Sequence, residues 1–161
     1  MTPAAIVQRA TRFLILLGIV VAVAMFLRRH DRMKIPAADQ SMDPTYPGGT
    51  TVLVDDLAPD APLDRGTDVV YTVEHDGTTY ARYGRVQGLP GDEVGARDGR
   101  LTVNGEPVGP APIPGEPMGR VPEGKVLILA INPAETRYKD SRSLSFIPRG
   151  TVIARILASV H

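Results

Sequence analysis

Three features of the sequence predict a mainly β domain carried behind one N-terminal apolar helix. The segment Phe13 to Leu27 holds no charged residue and is bracketed by Arg9, Arg12, Arg28 and Arg29. From Lys34 onward, short runs rich in Val, Ile, Thr and Tyr are broken by Gly, Pro, Asn and Asp, with no long apolar period of 3.6 residues between them. Gly 16 and Pro 15 in 161 residues, with aromatics at only 5%, assign much of the backbone to turns and short connections.

As a helix, Phe13 to Leu27 would run about 22 Å. That is short of a hydrocarbon core of roughly 30 Å, a gap that snorkelling arginines at both ends can close. A cleaved signal peptide and a buried core helix are the alternatives. A signal peptide ends in small residues at its cleavage site, whereas this stretch runs into Arg28-Arg29-His30-Asp31-Arg32, which suits an anchor. The organisation read from the chain is a short tail over 1–12, a transmembrane anchor in a lipid bilayer over 13–29, and a folded domain over 35–161. Positive charge is heavier after the span (Arg28, Arg29, Arg32, Lys34) than before it (Arg9, Arg12). By the positive-inside rule alone this would leave the domain in the cytoplasm.

Within the domain, strands are expected over Thr50 to Val54, Val69 to Glu74, Thr78 to Val86, Leu101 to Val103, Lys125 to Ile131 and Thr151 to Leu157. Asp76-Gly77 and Asn104-Gly105 each supply the residue pair that a tight hairpin needs for positive φ. The stretch from Pro107 to Pro122 is too rich in Pro and Gly for regular structure and reads as a surface loop.

Composition excludes several functions. Lys+Arg 18 balances Asp+Glu 18, so the basic footprint of a nucleic-acid binder is missing. With Cys 0 there is no thiolate nucleophile, disulfide framework or zinc-cysteine site. His30, His75 and His161 are dispersed, and no cluster implies a metal or an organic cofactor. The length suits a single domain.

Three segments could carry chemistry. Ser41-Met42-Asp43-Pro44-Thr45 sets a serine before a rigid proline turn. Gly88-Leu89-Pro90-Gly91-Asp92 closes the run Tyr80 to Gln87, and Asp140-Ser141-Arg142 offers an ion pair. Singly, these read as a solvated loop serine, an ordinary turn and a surface pair worth at most about 1 kcal/mol.

Together, in this order behind an apolar span, the boxes SMDPT, VLVDD, YGRVQGLPGDEV, RDGRLTVNGEPV and KDSRSLSFIPRG resemble the bacterial type I signal peptidase family, peptidase S26. The resemblance implies a β-rich catalytic domain of the signal peptidase and LexA type. It also implies a site that cleaves exported precursor proteins after small side chains, with the substrate segment pairing as a strand. The host would be the bacterial plasma membrane, the domain facing the periplasm or the exterior, and this implication overrides the charge count. LexA-like repressors share the fold, but no DNA-binding helix-turn-helix is visible. Ser41 takes the nucleophile position, with its backbone N–H contributing to the oxyanion hole. Met42 lies in the same box, Pro44 and Thr45 set its turn, Gly88, Pro90, Gly91 and Asp92 form the adjoining scaffold, and Asp140 and Arg142 brace the site.

The chain departs from that pattern at the base. A serine nucleophile needs a proton acceptor, which in this family is a lysine kept neutral by burial. Its position falls on Gly84, and no lysine stands between Lys34 and Lys125. Arg82 and Arg85 cannot substitute, since a guanidinium does not lose its proton in a protein. Asp39 stands where the family has a hydroxyl that aids the oxyanion hole, and Tyr138 stands where it often has a serine. Lys139 is a candidate displaced base, and Asp39 a candidate carboxylate base. Two functions follow: a signal peptidase-like serine endopeptidase with a non-standard base, or an inert relative that binds a peptide segment or a partner protein.

Overall fold

The computed structural model describes residues 11–160 except 22, 25–29, 109–117, 133 and 135–138. The chain divides into two compact units, Met1–Asp31 and Arg32–His161. In the first, helix α1 is described over residues 11–21. Phe13, Leu14, Leu16, Ile19 and Val20 on it are each more than half exposed. No described helix is long and apolar enough to cross a membrane. The expected anchor over 13–29 lies partly outside the described residues.

Strand β1 (His30–Lys34) runs across the boundary between the units, and the second unit continues with β2 (Thr51–Asp56), β3 (Asp68–His75), β4 (Thr78–Gly88), β5 (Glu93–Arg97), β6 (Arg100–Val103), β7 (Glu106–Pro107), β8 (Gly119–Arg120), β9 (Lys125–Leu129), α2 (Ser141–Leu144), β10 (Ile147–Pro148) and β11 (Val152–Val160). A seven-stranded sheet runs β1-β2-β11-β3-β4-β9-β10, and a four-stranded sheet runs β7-β6-β5-β8. Every pairing with a described register is antiparallel.

The centre of the large sheet explains its apolar sequence. β3 pairs with β4 on one side and β11 on the other, and successive side chains point to opposite faces. Val70 and Tyr83 enter one core cluster with Ile35, Met42, Val52, Val54, Ala154 and Ile156. Val69 and Tyr71 enter a second with Val86, Val126, Ile128, Ile147 and Val152. A strand buried on both faces reads as a continuous apolar run, which Val69-Val70-Tyr71 does. A third cluster, from Val94, Leu101, Val103, Val121, Leu127 and Leu129, joins the small sheet to β9.

All six expected strands are present, each with ends moved by a few residues. The Asp76-Gly77 and Asn104-Gly105 turns carry positive φ at both positions. Asp98-Gly99 does the same (φ 52° and 73°) and turns β5 into β6. β7 is the second arm of the expected Asn104-Gly105 hairpin, whereas β5, β1 and the two-residue strands β8 and β10 are not among the expected elements. β5 contains Gly95 and Arg97 and shows too few alternating apolar positions to register alone. The short strands are ordered by their partners and have no apolar pattern of their own. Of the Pro107 to Pro122 stretch, residues 109–117 lie outside the described residues.

Candidate active site

The serine lies on the connection between β1 and β2, folded back on itself by backbone hydrogen bonds. Ile35 N–H donates to Thr50 O at 2.9 Å, Gly49 N–H to Ile35 O at 3.0 Å, and Tyr46 N–H to Met42 O at 2.9 Å. Met42 is fully buried in the first core cluster, so an apolar anchor fixes the residue next to the serine. Gly48 closes the loop from the other side. A Cβ there would come 2.5 Å from Ala37 O and 2.8 Å from Asp39 O, so only glycine lets the two backbone segments approach.

Ser41 and Asp39 are both buried, at 2% and 1% exposure. The Ser41 hydroxyl donates to Asp39 Oδ1 at 2.6 Å, and the Ser41 backbone N–H donates to the same oxygen at 2.9 Å. The N–H expected to serve an oxyanion thus faces a carboxylate in this state. The Ser41 carbonyl accepts Asn132 N–H at 3.0 Å, which ties the serine loop to the segment after β9. Asn132 was not anticipated, because its contribution is a backbone group and leaves no mark on residue choice.

The late box packs against β9. Asp140 accepts Ala130 N–H at 2.8 Å and Arg142 N–H at 2.9 Å, caps α2, and pairs with the Arg142 guanidinium at 2.9 Å. Ser141 Oγ accepts Ile128 N–H at 3.0 Å. The Asp140–Arg142 pair is buried on both sides, at 3% and 5% side-chain exposure, so the surface-pair reading of these residues does not hold. Lys139 is exposed, and its carbonyl accepts the Tyr71 hydroxyl at 3.0 Å. The partner of the Ser41 hydroxyl is Asp39. Tyr138 lies outside the described residues.

Gly84 is buried on β4 opposite Val69. A Cβ at this position would sit 2.6 Å from Ile128 Cγ2 and 3.1 Å from Leu129 O. The side of the sheet onto which any residue 84 would project is filled by a core isoleucine. Arg85, beside it, is committed to Asp68 through hydrogen bonds of 2.7 and 3.0 Å, and that bonding holds its guanidinium above the ordinary range. Arg82 lies 5.1 Å from the centre of the Tyr80 ring.

Gly88, Leu89, Pro90, Gly91 and Asp92 form the turn from β4 to β5, with Gly91 at φ 88°. Asp92 accepts Leu89 N–H at 2.7 Å, Asn104 Nδ2 at 3.1 Å and Arg65 Nε at 2.8 Å. Burial pushes this carboxyl upward, but bonding from Arg65, Leu89 and Asn104 outweighs it and holds the group below the usual carboxylate range. These residues therefore brace the scaffold. They also border a cleft of about 570 Å³ that is lined by Leu63, Leu89, Pro90, Val126 and Arg149 and includes no residue of the serine loop.

A family model described as "Signal peptidase, peptidase S26" matches residues 8–160. No curated protein matches the chain. Among solved structures, a signal peptidase I from Enterococcus faecalis is 23% identical, over 57% of this chain and 94% of that one, with a TM-score of 0.41.

Proposed function

The chain belongs to the signal peptidase, peptidase S26, family, and from that premise we propose that it is a membrane-anchored serine endopeptidase that removes signal peptides from exported precursors, with Ser41 as nucleophile. The observation that carries this reading is the commitment of the buried Ser41 hydroxyl to a carboxylate at 2.6 Å. Beside it, Asn132 N–H holds the serine carbonyl, and in the late box Asp140 holds β9 through Ala130 N–H. The exposed apolar side chains of α1 support the anchor, since a helix that is apolar all round is not an ordinary surface helix. The domain then works at the periplasmic or outer face of the plasma membrane, where precursors emerge.

A second reading is a catalytically inert relative that binds a peptide segment. It is favoured by Ile128 filling the space at Gly84 and by the Ser41 N–H facing a carboxylate. The experiment is cleavage of an exported precursor, with small residues before its scissile bond, by the full-length protein in liposomes beside Ser41→Ala. Cleavage by the first and not the second is expected. Binding without cleavage by either would favour the inert relative.

A further inference from the structure

We infer that Asp39 is the general base of this site, so that the chain works through a serine–carboxylate pair in place of a serine–lysine pair. This rests on the reading of Ser41 as nucleophile. A general base must lie within about 2.6–3.2 Å of the proton it abstracts, and Asp39 Oδ1 lies 2.6 Å from Ser41 Oγ. The space a lysine at Gly84 would need holds Ile128 Cγ2, and Lys139 is exposed.

Asp39 is the carboxylate bonded to the Ser41 hydroxyl, whereas the buried Asp43 Oδ1 on the same loop has no hydrogen-bond partner. The charge of Asp39 acts on Tyr83 of β4 and Tyr71 of β3, and Arg82, Asp140 and Arg142 act on these tyrosines in turn. Burial, with the negative charge of Asp39 adding to it, pushes the Tyr83 hydroxyl up. Burial first, then Asp140, and Asp39 to a smaller extent push Tyr71 up, against the pull of Arg82 and Arg142. Both tyrosines therefore stay neutral and do not act as bases. The arginines stay charged, and Asp140 is occupied by Ala130, Arg142 and the α2 cap.

The bookkeeping of charge removes the objection that a carboxylate beside the oxyanion hole opposes catalysis. As a lone pair of Ser41 Oγ forms the bond to the substrate carbonyl carbon, the carbonyl π pair moves to its oxygen and the hydroxyl proton moves to Asp39 Oδ1. The one negative charge passes from the carboxylate to the oxyanion, so the two are never charged together. Protonated Asp39 is a weaker acceptor for the Ser41 N–H, and that donor becomes available to the oxyanion as it forms. On collapse, the oxyanion pair restores C=O, the C–N bond breaks, and the Oδ1 proton goes to the departing nitrogen. Water then attacks the ester, giving a proton to Oδ1. As the acyl C–Oγ bond breaks, that proton returns to Ser41.

The test is precursor cleavage by the full-length protein in liposomes, comparing the unmodified chain with Ser41→Ala, Asp39→Asn and Lys139→Ala from pH 6 to 9. Asp39→Asn is expected to lose roughly 10²- to 10⁴-fold in kcat with KM changed only a fewfold, a split that a purely structural loop contact would not give. The unmodified chain is expected to show no rise in kcat/KM across this window. A lysine base would instead give a limb rising about tenfold per pH unit below its own pKa. That profile decides the matter even where Asp39→Asn fails to fold. An alkaline limb overturns the inference, as does an active Asp39→Asn beside an inactive Lys139→Ala, while Ser41 stands as the nucleophile. Absence of cleavage by the unmodified chain at every pH overturns the nucleophile reading itself, and Asp39 as base falls with it.

Discussion

Ser41 and Asp39 meet twice at one atom: Asp39 Oδ1 accepts the Ser41 hydroxyl at 2.6 Å and the Ser41 backbone N–H at 2.9 Å. Aspartate commonly makes such bonds to the backbone two residues on and shapes a turn by them. Here the turn is buried beside Met42 in the core, so the pair is held in a setting where each hydrogen bond is stronger and costlier to break than in water. The local motif that shapes the loop also places a proton acceptor on the nucleophile.

The contact between Gly84 and Ile128 predicts that a lysine cannot be restored by one substitution. Gly84→Lys would set its Cβ 2.6 Å from Ile128 Cγ2, and overpacking of this kind costs about 1–3 kcal/mol or more. Ile128→Ala alone costs about 2–5 kcal/mol through its cavity. The double variant is expected to lose less than the sum, with a coupling of about 0.5–3 kcal/mol, read by denaturant unfolding of the full-length chain in detergent. Strict additivity would show that the two positions do not share space.

Asp140 is expected to be a stability residue as much as a site residue. Asp140→Ala removes the buried carboxylate of Arg142 and the acceptor of Ala130 N–H. Breaking a buried pair from one side costs about 3–5 kcal/mol. The same unfolding measurement checks it, and a loss under about 1 kcal/mol would place the pair in solvent.

How much of this was legible in the sequence follows from where the information lies. Val69-Val70-Tyr71, the Asp76-Gly77 turn and the serine box announce themselves because period, positive φ and motif order are properties of residue type. Asn132 and Ala130 act through backbone N–H groups that any residue except proline could supply, so nothing in their identity marks them. Ile128 reads as an ordinary core residue of β9, and only the pairing of β4 with β9 reveals that it closes the space at Gly84. Asp39 was visible as a departure from the family pattern, but its bond to Ser41 depends on a loop conformation fixed by distant groups such as Gly48.

Asp92 predicts a pH dependence of stability. Its carboxyl is held below the usual carboxylate range by Arg65, Leu89 N–H and Asn104, which together outweigh its burial. A depressed folded pKa means that its contribution is complete above the unfolded value of about 3.9 and is lost as pH falls through the lower folded value. The stability difference between the unmodified chain and Asp92→Asn is therefore expected to be constant from pH 7 to about 5 and to shrink below about 4. Unfolding midpoints across that range test it, and a difference that grows toward acid would reverse the sign.

The central claim is that Ser41 forms a covalent bond with substrate, and intact-mass analysis of an acid-quenched reaction tests it most directly. Full-length protein mixed with a precursor in liposomes should gain the mass of the released N-terminal fragment as an ester, located by fragmentation to the peptide containing Ser41 and lost in Ser41→Ala. Cleavage that persists in Ser41→Ala, with no adduct on the unmodified chain, would contradict the account.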